Sequence, residues 1–113
     1  MNVHFKSATP DGAPLRELAE TRTRFAMRRL TWLVPRAEIS LSDINGPRGG
    51  IDKRCRVELR THSAGIVQVT ALARDWRTAL ESALERAGRV LLRQLRRTFV
   101  RDRARLRALQ FEH

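Results

Sequence analysis

The chain has 113 residues, which is enough for one domain with a single hydrophobic core. Apolar residues make up 42% of it, which excludes an intrinsically disordered chain, and the formal net charge is +11 with a pI of about 11.7. Such a charge attracts polyanions, which are held through the release of their counterions, so it indicates a class of partner rather than a fold. Arginine supplies nearly all of the positive charge, since Lys6 and Lys53 are the only lysines.

Neither the N-terminus nor the cysteine content indicates secretion or a membrane. Residues 1–10 lack the apolar stretch of a secretory signal, and no apolar run approaches the roughly 20 residues that a membrane span requires. Cys55 is the only cysteine, which excludes an internal disulfide and a cysteine-based metal cluster. We therefore expect a soluble, cytoplasmic protein.

The first third of the chain predicts a strand followed by a helix. Residues 2–7 alternate between apolar and polar side chains, as in a half-buried strand, and the turn sequence Thr9-Pro10-Asp11-Gly12 follows. From Leu15 to about Leu33 the apolar residues recur at helical spacing, until Pro35 ends the pattern. The residues predicted to share the buried face of this helix are Leu15, Leu18, Ala19, Ala26, Leu30 and Leu33.

Three further strands are predicted at residues 36–43, 53–60 and 66–73, each with period-two alternation. The glycine-containing turns between them, at 45–50 and 62–65, are short enough for hairpins, so an antiparallel meander is expected. The side chains predicted to face the core are Ala37, Ile39, Leu41, Cys55, Val57, Leu59, Val67, Val69 and Ala71. Those predicted to face outward on the second of these strands are Arg54, Arg56, Glu58 and Arg60.

A long second helix is predicted after Asp75, which occupies the position of an N-cap. Its apolar arc comprises Trp76, Ala79, Leu80, Ala83, Leu84, Ala87, Val90 and Leu91, and Gly88 lies off that arc. The resulting order, β-α-β-β-β-α, predicts a single α+β domain in which two helices pack on one face of a four-stranded sheet. The other face of the sheet is expected to be open and polar.

The arginines of the second helix are predicted to form one stripe. At 100° per residue, five of them fall within an arc of about 100°: Arg86, Arg89, Arg93, Arg96 and Arg97. Glu81 and Glu85 lie outside the arc, so we expect the stripe to remain free of neutralising partners. Because like charges at these spacings repel by about 0.2–0.5 kcal/mol per pair, a polyanion-binding face explains them better than an ordinary solvated face.

Catalytic and metal-binding patterns are not found. The three histidines are far apart and have no ligand spacing, and Cys55 is predicted to face the core, where a thiol is inert. The turn at residues 46–50 lacks the Gly-Lys-Ser/Thr ending of a phosphate loop and is followed by a strand. A hairpin with Gly49 or Gly50 in the left-handed region is expected instead. We expect no enzyme activity, no cofactor and no metal.

Residues 42–55, with the sequence SDINGPRGGIDKRC, resemble the central hairpin of the short ribosome hibernation-promoting factors, also called ribosome-associated inhibitors or sigma-modulation proteins. Residues 24–30 and 79–93 are similar to that family as well, and the resemblance covers residues 1–100 approximately. It implies a fold like that of a double-stranded-RNA-binding domain. It also implies a translation inhibitor of stressed cells, seated in the channel between head and body of the small ribosomal subunit.

The resemblance further implies that basic side chains of both helices contact ribosomal RNA. By type and position these correspond to Arg22, Arg28, Arg29, Arg86, Arg89, Arg93 and Arg97. Arg96 of the stripe and Lys53 of the hairpin complete the candidate RNA-binding set.

Residues 101–113 are predicted to be a basic helical extension of the domain formed by residues 1–100. An apolar strip leads into this extension and consists of Leu92, Leu95, Phe99 and Leu106. The strip can fold back on the domain, dock on a partner or pair two copies in a homodimer.

The sequence thus predicts a hibernation factor that binds small-subunit ribosomal RNA and blocks the tRNA and messenger channel. Two alternatives stay open: a protein-interaction module that modulates a transcription factor, and an unrelated basic nucleic-acid-binding domain.

Overall fold

Four strands and two helices make up the part of the chain described by the computed structural model, namely residues 1–44 and 51–111, with the backbone alone for residues 110 and 111. The strands are β1 (Asn2–Ser7), β2 (Arg36–Asp43), β3 (Lys53–Arg60) and β4 (Ile66–Ala73). The helices are α1 (Arg16–Ala26), preceded by a 3-10 turn at Ala13–Leu15, and α2 (Trp76–Phe111). The prediction for Gly49 and Gly50 lies outside the described residues.

The strands form one sheet in the order β1-β2-β3-β4, and all four occupy the predicted ranges. β2, β3 and β4 pair antiparallel, which confirms the predicted meander. β1 pairs parallel with β2, so the chain must cross over between them, and α1 provides that crossover.

The turn between β3 and β4 depends on a glycine at the predicted place. Gly65 has φ of +80°, a backbone conformation that glycine adopts at little cost. The Oγ1 atom of Thr61 donates a hydrogen bond of 2.6 Å to the carbonyl oxygen of Gly65 and accepts one of 2.9 Å from the N–H of Ala64. The N–H of Thr61 also donates to the carbonyl oxygen of Gly65, and that of His62 to the carbonyl oxygen of Leu33, both at 3.2 Å.

One face of the sheet carries the hydrophobic core, and all nine strand residues predicted to face inward are buried there. The apolar arc of α2 covers β3 and β4, while α1 packs beside β1. Burial raises the pKa of the Cys55 thiol to about 12, so this thiol stays protonated and unreactive, as its core position predicts.

α1 is shorter than predicted, because it ends at Ala26 rather than near Leu33. The chain continues in tight turns, in which the N–H of Leu30 donates to the carbonyl oxygen of Met27 at 2.8 Å and the N–H of Leu33 to that of Leu30 at 2.9 Å. Turns of three residues keep Met27, Leu30 and Leu33 on one side of the chain, as an α-helix would approximately do. The apolar spacing therefore does not distinguish these turns from a continued helix.

The buried face of α1 also differs from the prediction. Ala19, Thr23 and Met27, four residues apart, are fully buried, whereas Ala26 is exposed, so its predicted place in the core is wrong. Thr23 tolerates burial because its Oγ1 donates a hydrogen bond of 2.7 Å to the carbonyl oxygen of Ala19. Met27 extends toward α2, where its Cε atom lies 3.8 Å from the position that a Cβ atom on Gly88 would occupy.

α2 is a single helix of 36 residues, about 54 Å long at 1.5 Å per residue. Asp75 caps it as predicted, since its Oδ1 atom accepts a 2.8 Å hydrogen bond from the N–H of Thr78. Beyond Thr98 every side chain as far as Leu109 is exposed, and the Cα radius of gyration is 17.2 Å, against about 13 Å for a compact chain of this length. The extension therefore continues α2 away from the domain instead of folding back on it.

Candidate nucleic-acid interface

The five stripe arginines of α2 are all exposed, and the helix that carries them is uninterrupted, so they share the predicted arc. The stripe begins beside the edge strand β4, where the Nη1 atom of Arg86 donates a 3.1 Å hydrogen bond to the carbonyl oxygen of Thr70. A shallow depression runs along the same side of α2, and its lining combines stripe arginines with Leu92, Val100 and Ala104.

The stripe is weakly neutralised at one position only among the described residues. Arg89 forms an ion pair of 3.8 Å with Glu85, so the expectation that Glu85 leaves the stripe free is wrong. Both side chains are largely exposed, at 65% and 72%, and such a pair contributes only about 0.3–0.5 kcal/mol. The other acidic residue near this part of α2 is Asp102, against nine arginines between Arg86 and Leu109, so the stripe keeps a strong positive potential.

The arginines of α1 form a second basic region at the end of that helix. Arg22 pairs with Glu81 of α2 at 3.8 Å and thereby connects the two helices. Arg28 and Arg29 follow the last residue of α1, and both are exposed. Five arginines and no acidic residue lie between Glu20 and Glu38, so this segment is as one-sided in charge as the stripe.

Lys53 stands apart from both basic regions. Its Nζ atom lies 2.6 Å from Oδ2 of Asp43 and 3.6 Å from Oδ2 of Asp52, and 5.3 Å from the centre of the Trp76 ring. The hydrogen bond with Asp43 is the main cause that raises the pKa of Lys53. Its charge is thus engaged at the base of the β2–β3 hairpin, and we leave Lys53 out of the interface.

The open sheet face also carries arginines, but these are held by neighbours. The Nε atom of Arg54 donates to Oγ of Ser42 at 2.9 Å. Arg56 and Arg60 both approach the carboxylate of Glu58, at 4.0 and 3.4 Å. Since one carboxylate serves two arginines here, the sheet face is less positive than α2 and is the weaker candidate for a polyanion.

Two exposed aromatic residues in the α1 region were missed by the sequence analysis. Phe25 is 61% and Trp32 72% exposed, although both are large apolar side chains. The sequence does contain a signal for them. Both aromatic residues lie close to Arg24, Arg28 and Arg29, outside the predicted buried face of the helix, so they are not expected to face the core.

Within residues 1–44 and 51–111, no group of His, Cys, Asp and Glu side chains is placed to hold a metal ion. None of the helices in this part of the chain combines the length and the apolar character needed to cross a membrane.

Solved structures share this architecture. The N-terminal domain of Protein Y from Thermus thermophilus superimposes with a TM-score of 0.63 at 20% sequence identity, covering 82% of this chain and 98% of that one. A ribosomal subunit interface protein from Coxiella burnetii gives a TM-score of 0.62 at 15% identity, covering 82% and 96%. The chain has the fold of the hibernation-promoting factors.

The hibernation-factor fold therefore confirms the α+β architecture that the pattern of strands and helices predicted. No family model matches the sequence, and no curated protein sequence is significantly similar to it. In this fold the eight candidate arginines lie on or directly after the two helices, and Lys53 lies in the hairpin.

Proposed function

We propose that this protein binds small-subunit ribosomal RNA through the arginines of α1 and α2 and inhibits translation by occupancy, in the cytoplasm and without a cofactor. The observation that carries the proposal is the α2 stripe. Arg93, Arg96 and Arg97 are exposed and form no ion pair with any described residue, so each can bind an RNA phosphate.

Arginine suits this role for geometric reasons. Its planar guanidinium donates two parallel hydrogen bonds to phosphate oxygens, and it is always charged. The helix holds most of the stripe arginines at intervals of three and four residues, about 5 Å apart along the axis and on one side, so several of them can bind the same RNA strand. The protein contributes electrostatics and bulk, and no covalent step is involved.

The name of one structural neighbour, the ribosomal subunit interface protein from Coxiella burnetii, supports a ribosomal partner. The family resemblance supports the channel between head and body of the small subunit as the binding place. A domain seated there excludes tRNA and messenger by its volume alone, and hibernation of the ribosome follows from that exclusion.

Sedimentation of a cell extract at two salt concentrations tests this proposal. We expect the protein to co-migrate with small subunits or whole ribosomes at low salt and to shift toward the top of the gradient at high salt. With seven arginines bound to phosphates, the logarithm of the affinity should fall against that of the salt concentration with a slope of about −5 to −6. Exclusive recovery at the top of a low-salt gradient contradicts the proposal, and favours a protein-interaction module.

Pairing of two copies through the C-terminal extension is a secondary proposal. Leu92, Phe99 and Leu106 are exposed and lie seven residues apart, as in a coiled-coil seam. The arginines beside them repel their counterparts on a second copy, so self-association should strengthen as salt is added, whereas RNA binding weakens. Sedimentation velocity of the isolated protein across a salt series measures this self-association directly.

A further inference from the structure

Phe25 and Trp32 display their aromatic rings at the surface of the most one-sidedly basic part of the N-terminal half. They are 61% and 72% exposed, on a segment where no acidic residue occurs between Glu20 and Glu38. Exposed aromatic side chains set among cationic ones are the combination through which proteins bind single-stranded nucleic acid. We call Phe25, Arg28, Arg29 and Trp32 the aromatic turn.

The guanidinium of Arg28 lies over the ring of Phe25. The guanidinium carbon of Arg28 lies 4.2 Å from the centre of the Phe25 ring, and its Nη1 atom donates a 2.9 Å hydrogen bond to the carbonyl oxygen of Phe25. The contact with the ring and the hydrogen bond to the backbone hold the guanidinium in place. Both the ring and the guanidinium plane are groups on which a nucleic-acid base stacks.

Trp32 is oriented by the same turn. Its Nε1 atom donates a 3.1 Å hydrogen bond to the carbonyl oxygen of Arg29. This bond uses the only polar hydrogen of the indole, so what the side chain offers to a ligand is its π face. The side chain of Arg29 is exposed and forms no ion pair with any described residue, which leaves it able to bind a phosphate beside a stacked base.

We propose that the aromatic turn is a stacking site for unpaired nucleotides of RNA. This rests on the proposed function and adds to it the kind of RNA segment that the end of α1 recognises. In a duplex the bases cover one another and leave no face for an aromatic ring, whereas bases in loops and single strands are open to stacking. The arginines of the α2 stripe, which bind phosphates alone, do not make this distinction.

Two RNA probes separate stacking from charge: a single-stranded 12-mer of adenosine and a 12-base-pair duplex. In a Trp76→Phe background Trp32 is the only tryptophan, so its fluorescence reports directly on a stacked base. We expect the single strand to quench this fluorescence strongly and the duplex to bind with little quenching. Phe25→Ala combined with Trp32→Ala should weaken binding of the single strand about 10- to 100-fold, without altering that of the duplex.

The controls keep net charge and fold constant. Leu72→Ala removes a half-exposed apolar side chain from the open sheet face and should change neither affinity. Trp32→Phe keeps an aromatic face and should retain most of the binding to the single strand. Thermal unfolding of each variant establishes that it is folded.

Three results would overturn the stacking site. The first is a single strand that binds without quenching the fluorescence of Trp32. The second is an equal loss of affinity for both probes in the double alanine variant, and the third is an unchanged affinity for both probes in that variant, as a protein-binding patch would give. If neither probe binds the wild-type protein at low salt, the proposed RNA binding fails as well. Binding of both probes with a silent Trp32 refutes the stacking site alone.

Discussion

The Nζ atom of Lys53 lies 2.6 Å from Oδ2 of Asp43, directly across the β2–β3 ladder. This pair joins the two strands at the end where the hairpin turn leaves them. A lysine whose folded pKa is raised stabilises the fold below its ordinary pKa, and this stabilisation is lost as the pH rises through the folded value. Lys53 thus contributes to the hairpin throughout the physiological range.

From this pair we predict opposite results for two cation-to-methionine variants. Lys53→Met should lower the thermal unfolding temperature and leave the salt dependence of RNA binding unchanged. Arg93→Met should leave the unfolding temperature unchanged and reduce the magnitude of the salt slope by about 0.7–0.9, the loss of one phosphate contact. A reduced slope in Lys53→Met would place this lysine in the interface after all.

A second prediction compares the α2 stripe with the sheet face at equal change of charge. Arg93→Glu with Arg97→Glu should weaken RNA binding steeply and reduce the magnitude of the salt slope by about 1.4–1.8. Arg54→Glu with Arg56→Glu changes the net charge by the same amount and therefore controls for long-range attraction. This pair should have the smaller effect, because the sheet face is the weaker candidate for RNA. The stripe variants should fold normally, because exposed substitutions usually change the free energy of unfolding by less than about 0.5 kcal/mol. Equal losses from both pairs would mean that bulk charge alone determines binding.

The strands and the stripe could be predicted from sequence because both depend on local periodicity. Alternation of period two defines β2, β3 and β4, and a helical repeat places Arg86 to Arg97 on one side of α2. The end of α1 could not be predicted, since turns of three residues space Met27, Leu30 and Leu33 as a helix would. Glu85 precedes Arg89 by four residues, a spacing at which an acid and a base pair on a helix, so this pair could have been predicted although Glu85 lies outside the arc. The pairing of Lys53 with Asp43 depends on the register of two strands, which the strand pattern does not determine.

The third prediction concerns two glycines whose replacement by alanine should have opposite effects. Gly88 lies inside α2, and a Cβ atom there would meet Met27 at an ordinary contact distance, 3.8 Å from its Cε atom. Gly88→Ala should therefore raise the free energy of unfolding by about 0.5–1 kcal/mol through the higher helix propensity of alanine.

Gly12→Ala should act in the other direction. Gly12 is buried, and a Cβ atom there would collide with Oγ of Ser7, which donates a 2.6 Å hydrogen bond to the carbonyl oxygen of Thr9. The variant should lower the free energy of unfolding by about 1–3 kcal/mol. Denaturant titration measures both variants, and equal signs for the two would refute this account of the packing.

The fourth prediction is a loss of stability in acid. The hydrogen bonds from Thr78 lower the pKa of Asp75, and the hydrogen bond from Lys6 lowers that of Glu38. A carboxyl with a lowered folded pKa stabilises the fold above its ordinary pKa, and the stabilisation disappears as the pH falls through the folded value. The denaturant midpoint should therefore decrease below about pH 4.

Asp75→Asn provides the control for this acid effect. Asparagine keeps the capping oxygen for the N–H of Thr78 but does not titrate, so the decrease in acid should be smaller in this variant. An unchanged acid profile would assign the effect to other carboxyl groups.

α2 is one helix with two sources of stability. As far as Leu91 it is held by the sheet, whereas residues 99–109 extend it by about 17 Å with every side chain exposed. A segment of that length is only marginally helical in water by itself, so its backbone amides should exchange with solvent orders of magnitude faster than those of residues 80–91. A ligand that lies along the extension would reduce this fraying. The protection of the extension's backbone amides against exchange should then rise with the fraction of protein bound, while that of residues 80–91 of the same helix stays constant.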